Sequence, residues 1–369
     1  MAVKTSKLVR YLDQLYPFAL AEKWDNVGLI FGSPNEQLER VLMALDISIE
    51  VAEEARDKGC GAIITHHPPI FQPIKRIDLT TTQGELIGFC LKHDIASIAL
   101  HTNLDSALGG LNDTVCDLLG LTKTKPLLDS GKERLAKLVV FVPNDHADRV
   151  RNAMFDAGAG EVGEYDRCSF NLRGTGTFRG GENTNPTIGE PGSLEEVEEV
   201  RVEVLLQRER CGQVYSAMVQ AHPYEEVAYD FIPLMNRERG TGLGRIGVLP
   251  TAVTMREFAD QVAKLDMMVL RTIGDPDRKV RKVALCTGAG GDFTSSAASA
   301  GADVYLTAEV KHHHALDAQR RGLCVVETDH YTLERVHWAR LKPLLEQHFS
   351  GDIEALVSER ERSCWTRYP

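Results

Sequence analysis

The stretch RVLMALDISIEVAEEARDKGCGAIITHHPPIF, residues 40–71, decides the fold. RVLMALDI has the length and apolar density of a buried strand. Ser48 stands before a helical pattern that runs through Lys58, and its hydroxyl suits an N-cap. GAIIT reads as the next buried strand. Pro68 and Pro69 end it, since neither donates to a ladder and each restricts the residue before it. Strand, helix and strand in this order form a βαβ unit with parallel strands.

Working outward, residues 6–16 read as a helix. After the Pro-rich loop come a helix over 83–93, the strand IASIALH and a helix from Leu111 to Leu119. The alternation predicts an α/β domain with a mostly parallel sheet. TKTKPLLDSGKERLAK then breaks the pattern with Pro126, Ser130 and Gly131, and reads as a linker. A different order follows: strand KLVVFV, helix 145–157, extended segments around YDRCSFNLRGTGTF, strand EEVRVEVLL, helix 211–221 and strand EVAYDFIPL. That is roughly βαββαβ, the ferredoxin-like arrangement. Its middle, RGGENTNPTIGEPGS, reads as an exposed loop.

Beyond the Gly-rich RGTGLGRIG the βα alternation resumes: helix 254–264, strands MVLRTI and KVALCTG, a Gly turn and helix, strand ADVYLTA, helix 311–321, strand LCVVET and a long helix 331–348. The preferred parse is one α/β domain, 1–126 and 246–369, interrupted by an inserted α+β module at 127–245. Three domains in series would leave the outer two with small sheets.

The 369 residues carry 42 Lys+Arg against 53 Asp+Glu, a formal charge of −11 that disfavours nucleic-acid binding. No apolar run approaches the ~20 residues of a membrane span, and the opening MAVKTSKLVRYLDQLYP lacks a signal-peptide core. The eight cysteines are dispersed with no CxxC pair, which argues for free thiols and a cytoplasmic setting.

Chemistry concentrates at strand ends. Neighbouring side chains alternate faces in a strand, so His66 and His67 serve one site only where the backbone turns at Pro68. The carboxyl end of a strand is where open α/β sheets place ligands. Alone, the pair is compatible with two loop histidines. IALHTNLDSALGGLND puts His101 and Asp105 at the same rim, where Asp105 offers a hard oxygen beside imidazole, a set suited to zinc, iron or manganese. Asp105 can equally cap a helix, and His101 can hold a ligand rather than be one. In VVETDHYTLERVHWARL, His330 and Glu334 are four apart and share a helix face. His337 lies a further turn along, out of reach. The tract His312-His313-His314 reads as surface helix. CTGAGGDF at 286–293 lacks the P-loop Lys and the full GxGxxG spacing, so a tight turn is favoured over an anion cradle. Asp25 and Asn26, in EKWDNVGLIFG, either contact the site or shape a turn.

WDNVGL at 24–29, THHPPIF at 65–71, HTNLD with GGLND at 101–113, ADVYLTAEVKHHHA at 302–315 and DHYTLE at 329–334 together resemble the NIF3-like family, also called GTP cyclohydrolase 1 type 2 homologs. The resemblance spans essentially the whole chain. The insert, with AHPYEEVAYDFIPL at 221–234, resembles the PII/CutA-like module of the longer members. The resemblance implies a two-metal centre on His66, His67, Asp105, His330 and Glu334. It implies that Glu334 bridges the ions, with His67 and Asp105 on one and His66 and His330 on the other. It also implies a toroidal hexamer. Departures are Ala308-Glu309 where the family has Gly-Asp, and Asp329 where it has Gly before the late His. The expected function is a metal-dependent hydrolase acting on a nucleotide or related ring, with Asp25, His101 or Glu309 as proton shuttle. The rival is a metal-binding regulator or delivery protein with the insert as sensor. A third reading is a ring-shaped scaffold whose metals are structural.

Overall fold

The computed structural model describes residues 2–130, 135–163, 165–236 and 240–365. The chain divides into two compact units, Met1–Ser130 with Gly240–Pro369, and Gly131–Arg239. The larger unit holds two main sheets where one mostly parallel sheet is expected from the βα alternation. In the first, the order is Glu354–Val357, Arg40–Ala44, Ala62–Thr65, Ala96–Ala99 and Gly28–Phe31, parallel except for the last pairing. Val41 and Met43 pack with Leu8, Leu12 and Trp338, whereas Leu42 and Ala44 pack with Val51, Ala55 and Cys90. Both faces are covered by helices, which is why the central strands Ala62–Thr65 and Ala96–Ala99 are buried at every position and read as nearly continuous apolar runs.

The second sheet is mixed. Its order is Val269–Ile273, Cys324–Thr328, Val304–Ala308, Lys279–Leu285, Gly242–Thr254 and Thr122–Asp129, with only the two pairings made by Val304–Ala308 parallel. Thr122–Asp129 corrects the linker reading of this segment. It is an exposed edge strand with Lys123, Lys125 and Pro126, and an edge tolerates charge and proline where a central strand does not. Residues 131–134 of the same expected linker lie outside the described residues. Because Thr122–Asp129 and Gly242–Thr254 belong to the larger unit, the break falls inside the expected 127–245.

The expected helix 331–348 is three pieces: His330–Glu334, a 3-10 turn Arg335–His337, and Trp338–His348. Asp329 caps the first by accepting from the Thr332 N–H at 2.9 Å. The tightened turn lets Glu334 and the buried His337 face different neighbours.

Within Gly131–Arg239, strands Leu135–Pro143, Ser169–Arg179, Leu194–Gln207 and Tyr229–Pro233 form an antiparallel sheet. Its spatial order is last, first, third, second. Helices Ala147–Asp156 and Cys211–Ala221 cover one face through Val150, Met154, Val214 and Met218, which pack on Leu138, Val140, Val202 and Val204. No helix among the described residues is long and apolar enough to cross a membrane.

Helix Ile49–Asp57, capped by Ser48, carries the buried Glu54. Its carboxylate accepts from Lys58 Nζ at 2.7 Å, Ser358 Oγ at 2.6 Å, and the Glu359 and Arg360 N–H groups at 3.0 Å each. Burial alone would raise its pKa, but these donors hold it at about 2 against an ordinary 4.5. A depressed carboxylate contributes stability above its unfolded pKa and loses it as pH falls through the folded one. Glu54→Gln therefore destabilises the protein by about 1–3 kcal/mol at pH 7. Denaturant melts at stepped pH check this: the gap to the parent narrows between pH 4.5 and 2, and a gap independent of pH contradicts it.

Candidate metal centre

Strand Ala62–Thr65 ends where His67 N–H still donates to the Leu45 carbonyl at 3.0 Å. Past that point the backbone turns, and both imidazoles enter one cleft with ring centroids 5.0 Å apart. His66 is 1% exposed, and its Nδ1 lies 2.8 Å from the Leu100 carbonyl. His67 Nδ1 lies 2.9 Å from Asp46 Oδ1, and His330 Nδ1 lies 2.7 Å from Glu309 Oε1. An acceptor at Nδ1 fixes the donor tautomer there and turns the Nε2 lone pair inward.

All three Nε2 atoms face the Glu334 carboxylate, which is 3% exposed. Oε2 is 3.0 Å from His330 Nε2 and 3.2 Å from His67 Nε2, while Oε1 is 3.5 Å from His66 Nε2. Asp105 Oδ1 lies 3.9 Å from His66 Nε2 and accepts from Thr287 Oγ1 at 3.1 Å. Among the described residues, His66 Nε2, His330 Nε2 and Glu334 Oε2 are buried with no hydrogen-bond partner. Their distances are short, yet the directions miss hydrogen bonds. Buried polar atoms left this way incur a desolvation cost unless something else occupies the space between them. Imidazole nitrogens and carboxylate oxygens fit divalent zinc, iron or manganese.

The five residues expected to converge are thus brought together, with Glu334 between two groups. The grouping differs from the one the resemblance implies: His67 sits with His330 on Oε2, and His66 with Asp105 on the Oε1 side. The cause is topological. His66 faces the short helix Thr102–Ser106 that carries Asp105, whereas His67 faces the helix beginning at His330.

Of the three shuttle candidates, Asp25 and Glu309 are engaged with imidazoles. Asp25 Oδ1 lies 2.8 Å from His101 Nδ1 and its Oδ2 accepts the Thr102 N–H at 3.0 Å. Glu309, at φ 55°, holds His330. His101 presents a ring nitrogen within 4.8 Å of nitrogens of both His66 and His67. His337 is apart from the site, buried between Thr114 Oγ1 at 2.9 Å and Tyr16 Oη at 3.0 Å, where burial lowers its pKa to about 3. His312 and His313 are exposed on a helix, and His314 pairs with Asp292.

Sequence reasoning missed Asp46, Thr287 and Gly288. Asp46 lies in RVLMALDI two residues past the end of strand Arg40–Ala44, at the same rim as His66, a signal that was present. Gly288, at φ +67°, explains CTGAGGDF: a Cβ there would sit 2.5 Å from Glu334 Oε1. The turn makes room for the carboxylate. Arg245, 1% exposed, braces the neighbouring loop by donating to Asp113 at 2.5 and 3.0 Å and to the Ala107 carbonyl at 2.8 Å.

Burial alone would lower the histidine pKa values, but Glu334 and the outer carboxylates outweigh it. His67 is pushed up to about 10 and His330 to about 9. Burial would raise Glu334, yet the imidazoles hold it well below the usual carboxylate range. Burial raises Asp105 above its ordinary value.

The cleft has a volume of about 270 Å³ and is open at a rim that includes Trp24 and Leu243. The family model for Duf34/NIF3 (NGG1p interacting factor 3) matches residues 3–363. A Halalkalibacterium halodurans protein named GTP cyclohydrolase 1 type 2 homolog is 42% identical over 341 residues, covering 92% of this chain and 91% of its own. A Bacillus subtilis protein of the same name is 42% identical over 331 residues, covering 89% of each. The crystal structure of a Bacillus cereus protein related to NIF3 matches with a TM-score of 0.88 at 39% identity, covering 99% of each chain.

Two outcomes follow from this geometry. Gly288→Ala weakens divalent-metal binding by at least about tenfold, whereas Gly301→Ala does not. Gly301 shares a left-handed φ of +75°, but its Cβ would meet only Lys282 Nζ, at 3.4 Å. Titration of metal-free protein with zinc or manganese reads both; equal affinities contradict the role of Gly288. Since metal ligation needs neutral imidazole, cation uptake at pH 7 releases protons, and apparent affinity climbs as pH rises toward 9. Calorimetry in buffers of different ionisation enthalpy measures the release, and affinity independent of pH contradicts it.

Proposed function

The chain belongs to the Duf34/NIF3 family, and from that premise we propose that it is a metal-dependent hydrolase acting on a nucleotide or related ring. The observation that carries this reading is the buried Glu334 carboxylate with three anchored imidazoles around it. His67, His330 and Oε2 would hold one divalent cation, and His66, Asp105 and Oε1 the other. When bound, such a pair supplies Lewis acidity and lowers the pKa of a water in the cleft.

The remaining steps fall to the chain itself. Asp25 holds Nδ1 of His101, so Nε2 of that ring is free to take up and pass on a proton. Asp46 and Glu309 keep their histidines in the tautomer that a cation requires. Trp24 and Phe71, 55% and 43% exposed with rings 5.6 Å apart, support a planar ring at the mouth of the cleft. The relatives' printed name points the same way.

Two further elements belong to the proposal. Residues 131–239 form a ferredoxin-like module of the PII/CutA type, a reading supported by the last–first–third–second strand order. The protein works as a toroidal homohexamer in the cytoplasm.

Glu334→Gln keeps the size and removes the charge. It should lose at least one of two cations per chain and most hydrolysis of GTP or a related nucleotide, with the fold intact. His312→Ala should change neither. Elemental analysis of untagged protein, light scattering and a nucleotide turnover panel decide it. Glu334→Gln retaining both metals sinks the centre, a fully metallated parent that turns over no nucleotide sinks the hydrolase, and a monomeric parent sinks the ring.

A further inference from the structure

The unit Gly131–Arg239 contains its own cavity, of about 380 Å³, within the range of small-molecule sites. It lies on the sheet face away from the helices. Along Leu194–Gln207, Val200, Val202 and Val204 pack under those helices, so Glu199 projects to the opposite side. The walls are mainly apolar, with Phe141, Phe178 and Tyr224 as the large surfaces. Phe178 and Tyr224 have ring centroids 6.2 Å apart and planes tilted by 58°.

The segment RGGENTNPTIGEPGS supplies one wall and is not a loose loop. Asn185 N–H donates to Glu225 Oε1 at 3.0 Å, and Thr187 Oγ1 donates to the Pro223 carbonyl at 2.8 Å. These bonds tie it to the HPYEE stretch at 222–226, which has no part in the metal centre. His222 shapes that stretch by accepting from the Tyr224 N–H at 3.1 Å and bonding the Phe141 carbonyl through Nε2 at 2.9 Å.

The charged groups are of one sign. Glu199, Glu225 and Glu226 line the cavity, and no Lys, Arg or His does so among the described residues. Arg201, whose guanidinium lies 5.8 Å from the Phe141 ring, is paired with Glu203 at 2.9 Å. Glu199 is held in place: Tyr224 Oη donates to its Oε1 at 3.0 Å. Its Oε2 lies over Gly176, where a Cβ would come within 2.1 Å and the carboxylate would have to shift. An oriented carboxylate among aromatic faces favours a cation twice, by charge-assisted hydrogen bonding and by cation–π attraction.

We infer that this cavity is a binding site for a small organic cation with a flat apolar body, such as an aromatic amine or amidine, its charged group on Glu199. The site is independent of the metal centre, so the two readings fail separately.

The test uses full-length protein and three probes of one shape: benzamidine (cation), benzamide (neutral) and benzoate (anion). Ligand-observed NMR titration should give saturable benzamidine binding, about tenfold tighter than benzamide, and none for benzoate. Glu199→Gln should remove that tenfold preference while leaving benzamide binding and metal content at parent levels. Tyr224→Phe, a milder change, should weaken benzamidine by a smaller factor. Equal binding of the three probes, or benzamidine binding indifferent to Glu199→Gln, overturns the inference. So does absence of benzamidine binding; a drop in particle size in Glu199→Arg would then mean that a second copy of the chain covers the cavity.

Discussion

A carboxylate that is 3% exposed and faces three imidazole nitrogens within 3.5 Å is the feature on which the larger unit is organised. Removing such a charge from water is costly unless opposite charge and fixed donors offset it. The imidazoles and the carboxylate shift one another accordingly: the histidine pKa values rise and that of Glu334 falls. The surrounding structure follows from holding this group. Gly288 vacates the space for one oxygen, and the helix after His330 tightens into a 3-10 turn directly behind Glu334. The two sheets present their strand ends to the same cleft.

An outer layer gives the centre its rigidity. Each histidine is fixed through Nδ1 by an acceptor from a different place in the chain: Leu100 for His66, Asp46 for His67, Glu309 for His330 and Asp25 for His101. Asp46 is itself tethered, because its N–H donates to the buried Glu361 at 2.8 Å. The segment that carries Glu361 is clamped by Glu54 of helix Ile49–Asp57, which accepts the Glu359 and Arg360 N–H groups. Packing at the periphery is thereby connected to the orientation of a single imidazole.

Much of this was legible in the sequence. Strand ends broken by proline or followed by a short polar turn place His66, His67 and Asp105 at one rim, and the four-residue spacing of His330 and Glu334 places both on one helix face. The helix start at Ser48 was readable because its side chain caps; the helix expected over 254–264 proves to be capped as well, by Thr254 with Glu257 in a reciprocal pair. Four things were not. The edge strand Thr122–Asp129 is exposed over its first four residues and has no fully buried one, so no alternation shows and its polarity imitates a linker. The division into two sheets depends on which strands pair, and local periodicity carries no such information. The partners of the histidines are mostly long-range or backbone groups, and a carbonyl such as that of Leu100 leaves no trace in composition. The grouping of ligands around Glu334 likewise depends on which helix each imidazole faces.

The central claim is that Glu334 stands between two cations. Anomalous diffraction from crystals of untagged protein, collected on both sides of the zinc, iron and manganese absorption edges, tests it most directly. The account predicts two peaks per chain flanking the Glu334 carboxylate, one among His67, His330 and Oε2 and the other among His66, Asp105 and Oε1. A single peak, no peak, or a peak confined to His312, His313 and His314 would contradict it.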